Sequence, residues 1–338
     1  LDLHAITVDG SRVSWQRLDR TQLRVNWKQA CQFSVAVLPD AAANLNAHFA
    51  AATGERTQRY ATLVARHGPA AAEEVAWASQ AVAPTVVHRN PLRIGPTEWE
   101  QALRQTCGDA DIEGDTAYLP ASAGVADLPL FSAGQLFVQD TTAHDAALAV
   151  EARPGERILD LCAAPGGKAL AMALQMEDRG ELLACDTSAE RLIRVHENMA
   201  RLGLTCVRAH VLDPSTSPAI GNEASFDAAL VDVPCSNTGV IARRPEARLG
   251  LTPQKLQSLQ AVQRELIRAA ARQVRPGGRL VYSTCSIEPS ENEEVVTSFL
   301  AENPNWRQEF QQTSLPTWGP RRSNWRDGGY FARLRCGG

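Results

Sequence analysis

The chain has 338 residues, 44% hydrophobic and 21% charged, with a formal net charge of −4. That length suffices for two or three domains with a sizeable core, and the composition excludes general disorder and a strongly basic, nonspecific nucleic-acid binder. No apolar run approaches the ~20 residues of a membrane-spanning helix, and the first residues lack the pattern of a signal peptide, so a cytoplasmic protein without a membrane partner is expected.

Leu1 rather than Met stands first, so a natural amino-terminal portion is expected to be missing. Residues 1–55 carry little pattern; Asp40 after Pro39 is placed to cap an alanine-rich helix ending at Gly54. A helix over 57–67 puts Tyr60, Leu63, Val64 and His67 on one face, and Pro69 opens another to about Ala83. Thr85–Arg89 reads as a short strand before Pro91, and Thr97 with Glu100 as a capping box for a helix with Trp99 and Leu103 on its apolar side. Residues 108–130 are rich in Gly, Asp, Ala and Pro and form a connecting region around a strand at Ala117–Leu119.

From residue 131 the pattern changes to alternating strands and helices. Strands are expected at Arg157–Ala163, Leu182–Asp186, Cys206–Asp213, Ala228–Val233 and Leu280–Thr284. Between them lie a helix from Lys168, one opened by a Thr187–Glu190 capping box and stopped at Gly203, and a long one opened by Thr252–Pro253 and stopped at Pro276–Gly278. Ser290 and Glu293 are placed to cap a further helix carrying Val295, Val296 and Phe299. This alternation predicts an α/β fold with a doubly wound, mostly parallel sheet, whose ligands bind at the carboxyl ends of the strands.

The strand ends carry the chemistry. The first runs through Asp160-Leu161-Cys162-Ala163-Ala164-Pro165-Gly166-Gly167-Lys168 into a helix, and its paired glycines let backbone approach a ligand. The turn matches neither a phosphate-binding P-loop nor the dinucleotide fingerprint, since Cys162 and Ala169 stand where the P-loop needs Gly and Ser or Thr. Asp186, about 20 residues on, is placed for ribose hydroxyls, and Asp213 for the adenine end of the same ligand. Without a phosphate grip, S-adenosylmethionine fits better than NAD. The fourth and fifth strands end in Asp232-Val233-Pro234-Cys235-Ser236 and Ser283-Thr284-Cys285-Ser286, which puts two cysteines at the same sheet edge. A single cysteine is usually a small buried hydrophobe; two at matching strand ends weaken that reading. The eight cysteines lack zinc spacing and several lie in apolar runs, so reduced, mostly buried thiols are expected, with no metal and no disulfide framework. Arg243–Arg244–Arg248 and Arg321–Arg322–Arg326 are solvated surface by default, with Arg243 and Arg244 candidates for phosphate contacts.

The stretches Cys162–Lys168, Asp232–Cys235 and Thr284–Ser286 resemble the RNA cytosine-5 methyltransferase family, most closely its bacterial ribosomal-RNA, Fmu/Sun-like branch. Phe131–Thr142 is similar to the segment before that family's catalytic domain, His88–Arg93 to its upstream RNA-binding subdomain and Asp327–Arg333 to its carboxyl-terminal strand. Asn237 and Val233 stand where the family more often has a small residue and alanine. The resemblance implies a Rossmann-like, S-adenosylmethionine-dependent methyltransferase sheet over 131–338, a smaller α+β RNA-binding subdomain over 56–130, and in 1–55 the remnant of a helical RNA-binding domain. It implies methylation of cytosine C5 in RNA, ribosomal and of the small subunit, by a monomer. Cys285 would be the nucleophile adding at C6, Cys235 would assist release, Asp232 would hold the flipped base and Lys168 would be the electropositive neighbour of the thiolate. Cys162, Ala163, Ala164, Pro165, Gly166, Gly167, Lys168, Asp186, Asp213 and Asp232 would contact the cofactor. Two rivals stay open: a DNA cytosine-5 methyltransferase, in which the Pro-Cys cysteine attacks, and a non-catalytic RNA-binding assembly factor. The presence of Cys285 tells against the first; intact Cys235, Cys285, Asp232 and Lys168 tell against the second.

Overall fold

The computed structural model describes residues 60–213, 224–248 and 251–338 in full, together with the backbone of 7–8, 11–12 and 43–59. The chain divides into two units, Leu1–Thr62 and Leu63–Gly338. In the first, Thr7–Val8 pairs antiparallel with Ser11–Arg12; the expected cap at Asp40 and most of the segment 1–55 lie outside the described residues. Helix α1 (Ala43–Ala78) runs through Gly54, where an end was expected, and breaks instead at Gly68, whose φ is 79°. An interior glycine costs a helix only about 1 kcal/mol, whereas Pro69 removes a backbone donor and forces the break one residue earlier.

The second unit holds two sheets. The smaller is antiparallel and built from β1 (Thr85–Arg89), β2 (Asp111–Glu113), β3 (Thr116–Leu119) and β4 (Leu136–Val138), in the order β2-β3-β1-β4. Helix α2 (Pro96–Thr106) covers it with Trp99 and Leu103, which pack among Val87, Leu119 and Leu136. The expected capping box does not form. Pro96 takes the first helical position, for which its fixed φ is suited, so Gly95 is the cap and Thr97 already lies inside the first turn. Buried Asn90, at the end of β1, donates to the carbonyls of Gly134 and Leu202 at 2.8 and 3.2 Å and ties this sheet to the larger layer.

His88 on β1 is buried beneath His144, their rings stacked 3.9 Å apart. Its Nε2 donates to the Gln139 carbonyl and Thr116 donates to its Nδ1, both at 3.0 Å, which satisfies the neutral ring. Burial, followed by His144, pushes its pKa down from 6.5 to about 3 against the pull of the Gln139 carbonyl. The unfolded chain therefore binds more protons between those two values, and stability falls as pH drops from about 6.5, by up to about 1.4 kcal/mol per pH unit from this group. Denaturant unfolding of His88→Gln between pH 7 and 5 should show a shallower decline than wild type; identical slopes would refute the assignment.

The larger sheet contains β5 (Arg157–Leu161), β6 (Glu181–Asp186), β7 (Val207–Val211), β8 (Phe226–Asp232), β9 (Val274–Thr284), β10 (Trp306–Ser314) and β11 (Gly329–Cys336). Their order is β10-β11-β9-β8-β5-β6-β7; β5 to β9 run parallel, while β11 is antiparallel to both β9 and β10. This is the Rossmann-like sheet expected, with two strands added at one edge. Before it comes α3 (Thr141–Leu148), and between its strands lie α4 (Gly167–Gln175), α5 (Ala189–Leu202), α6 (Pro253–Gln273) and α7 (Glu293–Glu302). Side chains alternate between the faces of each strand. Ile158, Leu182, Ala184 and Leu230 therefore pack with Leu170 of α4 and Val195 of α5, while Leu159, Leu161, Ala229 and Val231 pack with Ile267 of α6 and Phe299 of α7.

Helix caps decide small shifts from expectation. Ser188, not Thr187, caps α5 by accepting from Arg191 N, and Thr252 caps α6 as expected. At α7 the cap is Asn292, because Pro289–Glu291 forms a separate 3₁₀ turn ahead of it. Among the described residues no helix is long and apolar enough to cross a membrane.

Candidate active site

The strand order reverses between β5 and β8, so the loops leaving these two strands part to opposite sides and open a crevice at their carboxyl ends. The same alternation that builds the core decides which polar side chains face α4. Asp160 continues the face of Ile158, Asp186 that of Ala184, and Asp232 that of Leu230. Three carboxylates on neighbouring strands thus share one side of the sheet.

The turn after β5 is shaped by its backbone. Cys162 takes a φ of 73° and Gly166 one of 106°, the latter as the cap of α4. A side chain at Gly166 would meet Val195 at 3.0 Å, which closes that position to larger residues. Ala163 N donates to the Cys185 carbonyl at 2.8 Å and Ala164 N to Asp186 Oδ2 at 3.2 Å, while Pro165 is exposed. Gly167 faces the side chain of Gln139. Asp186 is buried and also accepts from Ser188 N at 2.9 Å; each oxygen keeps a further lone pair for a ligand hydroxyl. Asp213 lies two residues beyond the end of β7, at Val211, and is exposed.

Lys168, in the first turn of α4, reaches Asp232 Oδ2 at 2.6 Å, and Ser283 donates to Asp232 Oδ1 at 3.0 Å across the β8–β9 register. Burial works against the ammonium, but the Asp232 carboxylate outweighs it and holds the Lys168 pKa above its ordinary value. Cys285 is among the groups that favour this charge. Cys235 and Cys285 meet where β8 and β9 end, with their Sγ atoms 3.1 Å apart. The Cys285 thiol donates to Asn237 Oδ1 at 3.0 Å, and Asn237, at a φ of 60°, donates from Nδ2 to the Cys235 carbonyl at 3.2 Å. The hydrogen bond to Cys285 and burial raise the Cys235 pKa well above the ordinary thiol value. Lys168, Asp232, Cys235 and Cys285 are therefore brought together from three strand ends, with Asp186 on the other side of β5. The remaining described cysteines are free thiols too; burial pushes Cys185 and Cys206 up to about 12 and Cys162 beyond that range.

Sequence reasoning passed over Asp160. It is fully buried and neither carboxylate oxygen has a hydrogen-bond partner. Burial, with Asp232 and Asp186 nearby, raises its pKa to about 8 against the pull of Lys168. The signal available was a lone acid inside the apolar run Ile158–Leu161. Glu291 was also missed; it accepts from Ser236 N, Gln263 Nε2 and Ser286 Oγ at 2.9, 3.0 and 2.6 Å and also from Ser236 Oγ.

The arginines behave differently from expectation. Arg243 remains exposed but pairs with buried Asp327 and bonds to the Pro84 carbonyl. Arg248 bonds the Ser79 carbonyl, and Arg322 and Arg326 pair with Asp109 and Asp145. Of these partners only Asp327 is a buried carboxylate. Arg243→Ala should therefore cost about 1–3 kcal/mol in denaturant unfolding, since it leaves the Asp327 carboxylate unpaired, and should leave the salt dependence of RNA binding unchanged. A salt slope reduced by about one would restore the phosphate-contact reading. Arg244 beside it is exposed and stays available for that role.

Residues 147–320 match the family model described as 16S rRNA methyltransferase RsmB/F. The probable ribosomal RNA small subunit methyltransferase B of Synechocystis sp. is 36% identical over 233 residues, which cover 67% of this chain and 52% of that protein. The ribosomal RNA small subunit methyltransferase B of Xanthomonas campestris is 36% identical over 233 residues, covering 68% and 53%. The chain thus spans about half the length of these curated relatives. Among solved structures, a methyltransferase homolog protein from Pyrococcus horikoshii superposes with a TM-score of 0.65 at 26% identity, over 79% of this chain and 91% of that one.

Proposed function

As the chain belongs to the 16S rRNA methyltransferase RsmB/F family, we propose that it methylates carbon 5 of a cytosine in small-subunit ribosomal RNA, using S-adenosylmethionine and a transient bond between Cys285 and C6 of the base. The observation that carries this reading is the pair of cysteine sulfurs 3.1 Å apart at adjacent strand ends, beside the Lys168–Asp232 ion pair. The names of the relatives, ribosomal RNA small subunit methyltransferase B, support the substrate class.

The residues present fit the cofactor. Buried Asp160, with both oxygens unpartnered, is a site waiting for a cationic group, and the ammonium of the methionine moiety is one. The turn Cys162–Lys168 would face the methionine part, Asp186 the ribose and Asp213 the adenine, with Asp232 next to the reacting end. When bound, S-adenosylmethionine supplies an electrophilic methyl group. Cytosine C5 is by itself too poor a nucleophile to take it. Addition of the Cys285 thiolate at C6 breaks the C5–C6 double bond and gives C5 the character of an enamine carbon. Lys168 stabilises that thiolate electrostatically. Asp232 holds the polar edge of the base, which must leave its stack for a sulfur to reach C6. After C5 has gained the methyl group its proton is lost to solvent, the double bond reforms and Cys285 leaves as thiolate, a step that Cys235 assists.

Transfer of labelled methyl groups to unmodified small-subunit ribosomal RNA, with mapping of the labelled base, tests the whole reading. Label on carbon 5 of one cytosine is expected. Equal transfer to duplex DNA would favour the DNA-type enzyme, and no transfer by a chain that binds the RNA and the cofactor would favour the assembly factor.

A further inference from the structure

Two chemically identical thiols 3.1 Å apart pose a choice that the reaction cannot leave open. Two sulfur anions at that distance repel strongly, so the pair gives up its first proton as a unit and the surroundings decide which sulfur keeps the other. Those surroundings are asymmetric. Lys168 stands on the Cys285 side, neutralised in part by Asp232. On the other side lies Glu291, fully buried in the turn before α7. One of its oxygens accepts from the backbone N–H of Ser236, the residue after Cys235, at 2.9 Å and from Gln263 at 3.0 Å. The other accepts from Ser286 Oγ at 2.6 Å and from Ser236 Oγ. Tyr282 donates to the Glu291 carbonyl at 2.6 Å from beneath. These donors hold the Glu291 side chain in place, and none of them is a cation.

We infer that Glu291 is a positioning residue that fixes the roles of the two cysteines, keeping a proton on Cys235 so that Cys285 is the sulfur that ionises. The inference rests on the covalent reading above. With both thiols protonated, Cys235 donates to Cys285 and Cys285 donates to Asn237 Oδ1. Loss of the outer proton leaves the Cys285 thiolate still receiving the Cys235 S–H, which stabilises it. The opposite assignment would set a Cys235 thiolate against the Glu291 carboxylate, with Lys168 on the Cys285 side. Glu291 is accordingly one of the groups that raise the Cys235 pKa, after its hydrogen bond to Cys285, burial and the Cys285 charge.

Trace labelling of the full chain with iodoacetamide between pH 6 and 9, read by peptide mass spectrometry, reports which sulfur is the thiolate, because only the thiolate is alkylated. In wild type, Cys285 should be labelled in strong preference to Cys235. Glu291→Gln removes the charge at nearly constant shape and should narrow that preference by about tenfold, the equivalent of one pK unit, with a matching change in the pH midpoint at Cys235. Glu291→Asp keeps the charge and should keep the preference. Ser286→Ala removes a donor but no charge and should keep it too, which separates the electrostatic role from a packing role. An unchanged preference in folded Glu291→Gln, or a lost one in folded Glu291→Asp or Ser286→Ala, overturns the inference. The labelling needs neither RNA nor cofactor. A failed covalent reading would instead appear as a Cys235→Ala chain that traps no adduct with RNA while the wild-type labelling pattern stays as described.

Discussion

Cys285→Ala should lose methyl transfer on the order of a million-fold, the scale of removing a nucleophile that acts as part of a unit, and should form no covalent adduct with RNA. Cys235→Ala should behave in the opposite way. Its Cys285 can still attack C6 and C5 can still take the methyl group, but release is impaired, so a protein–RNA species should accumulate on a denaturing gel and should require the cofactor. The geometry permits this division because the two sulfurs face one another at 3.1 Å from separate strands, so either can reach a base held at the end of β8 and β9. A DNA-type mechanism reverses the pattern, with the adduct dependent on Cys235. A purely structural pair gives no adduct in either variant and only a stability loss, typically ~0.5–3 kcal/mol. An adduct in Cys285→Ala but not in Cys235→Ala would overturn the assignment.

Asp160→Asn should weaken cofactor binding at least about 100-fold while stabilising the ligand-free protein at mildly alkaline pH. The first effect follows from the ammonium that Asp160 would receive, since breaking a buried charge pair costs about 3–5 kcal/mol. The second follows from the pKa of about 8 in the fold against an ordinary value of 3.8. Between those values the folded chain binds more protons than the unfolded one, so stability declines as pH rises, by up to about 1.4 kcal/mol per unit from this group, and the full cost is present above pH 8. Asparagine never ionises and escapes that cost. Calorimetric titration with S-adenosylmethionine and denaturant unfolding at pH 6 and 8.5 would measure both. Unchanged affinity, or a variant less stable than wild type at pH 8.5, would remove Asp160 from the proposed role.

The parallel strands were legible because both of their faces are buried, which writes short, mostly apolar runs such as Ile158–Leu161 and Ala228–Val231 into the chain. Strand β1 was legible for its bounds, Thr85–Arg89, set off by proline on either side. The edge strand β10 was not, because Arg307, Gln308, Gln311 and Gln312 face solvent and leave no apolar alternation to read. One helix start depended on which of two neighbouring cap residues won, Thr187 or Ser188, a competition worth only about 1 kcal/mol, and that of α7 on the 3₁₀ turn ahead of Asn292.

At the site, the motifs on the strand ends placed Lys168, Asp232, Cys235 and Cys285 at one sheet edge from the sequence alone, since strand polarity and the side-chain period of two are local properties. Distances across strands are not. That Lys168 meets Asp232, that the two thiols touch, and that Arg243 pairs with Asp327 are outcomes of register and of where the nearest opposite charge lies. The roles of Asp160 and Glu291 belong to the same class. Each is an unremarkable acid in the sequence, and what distinguishes them is whether donors surround a buried carboxylate: none for Asp160, four for Glu291. Desolvation and hydrogen bonding act through groups distant in the chain, so only the tertiary structure could decide that one of these buried carboxylates has no donor and the other has four.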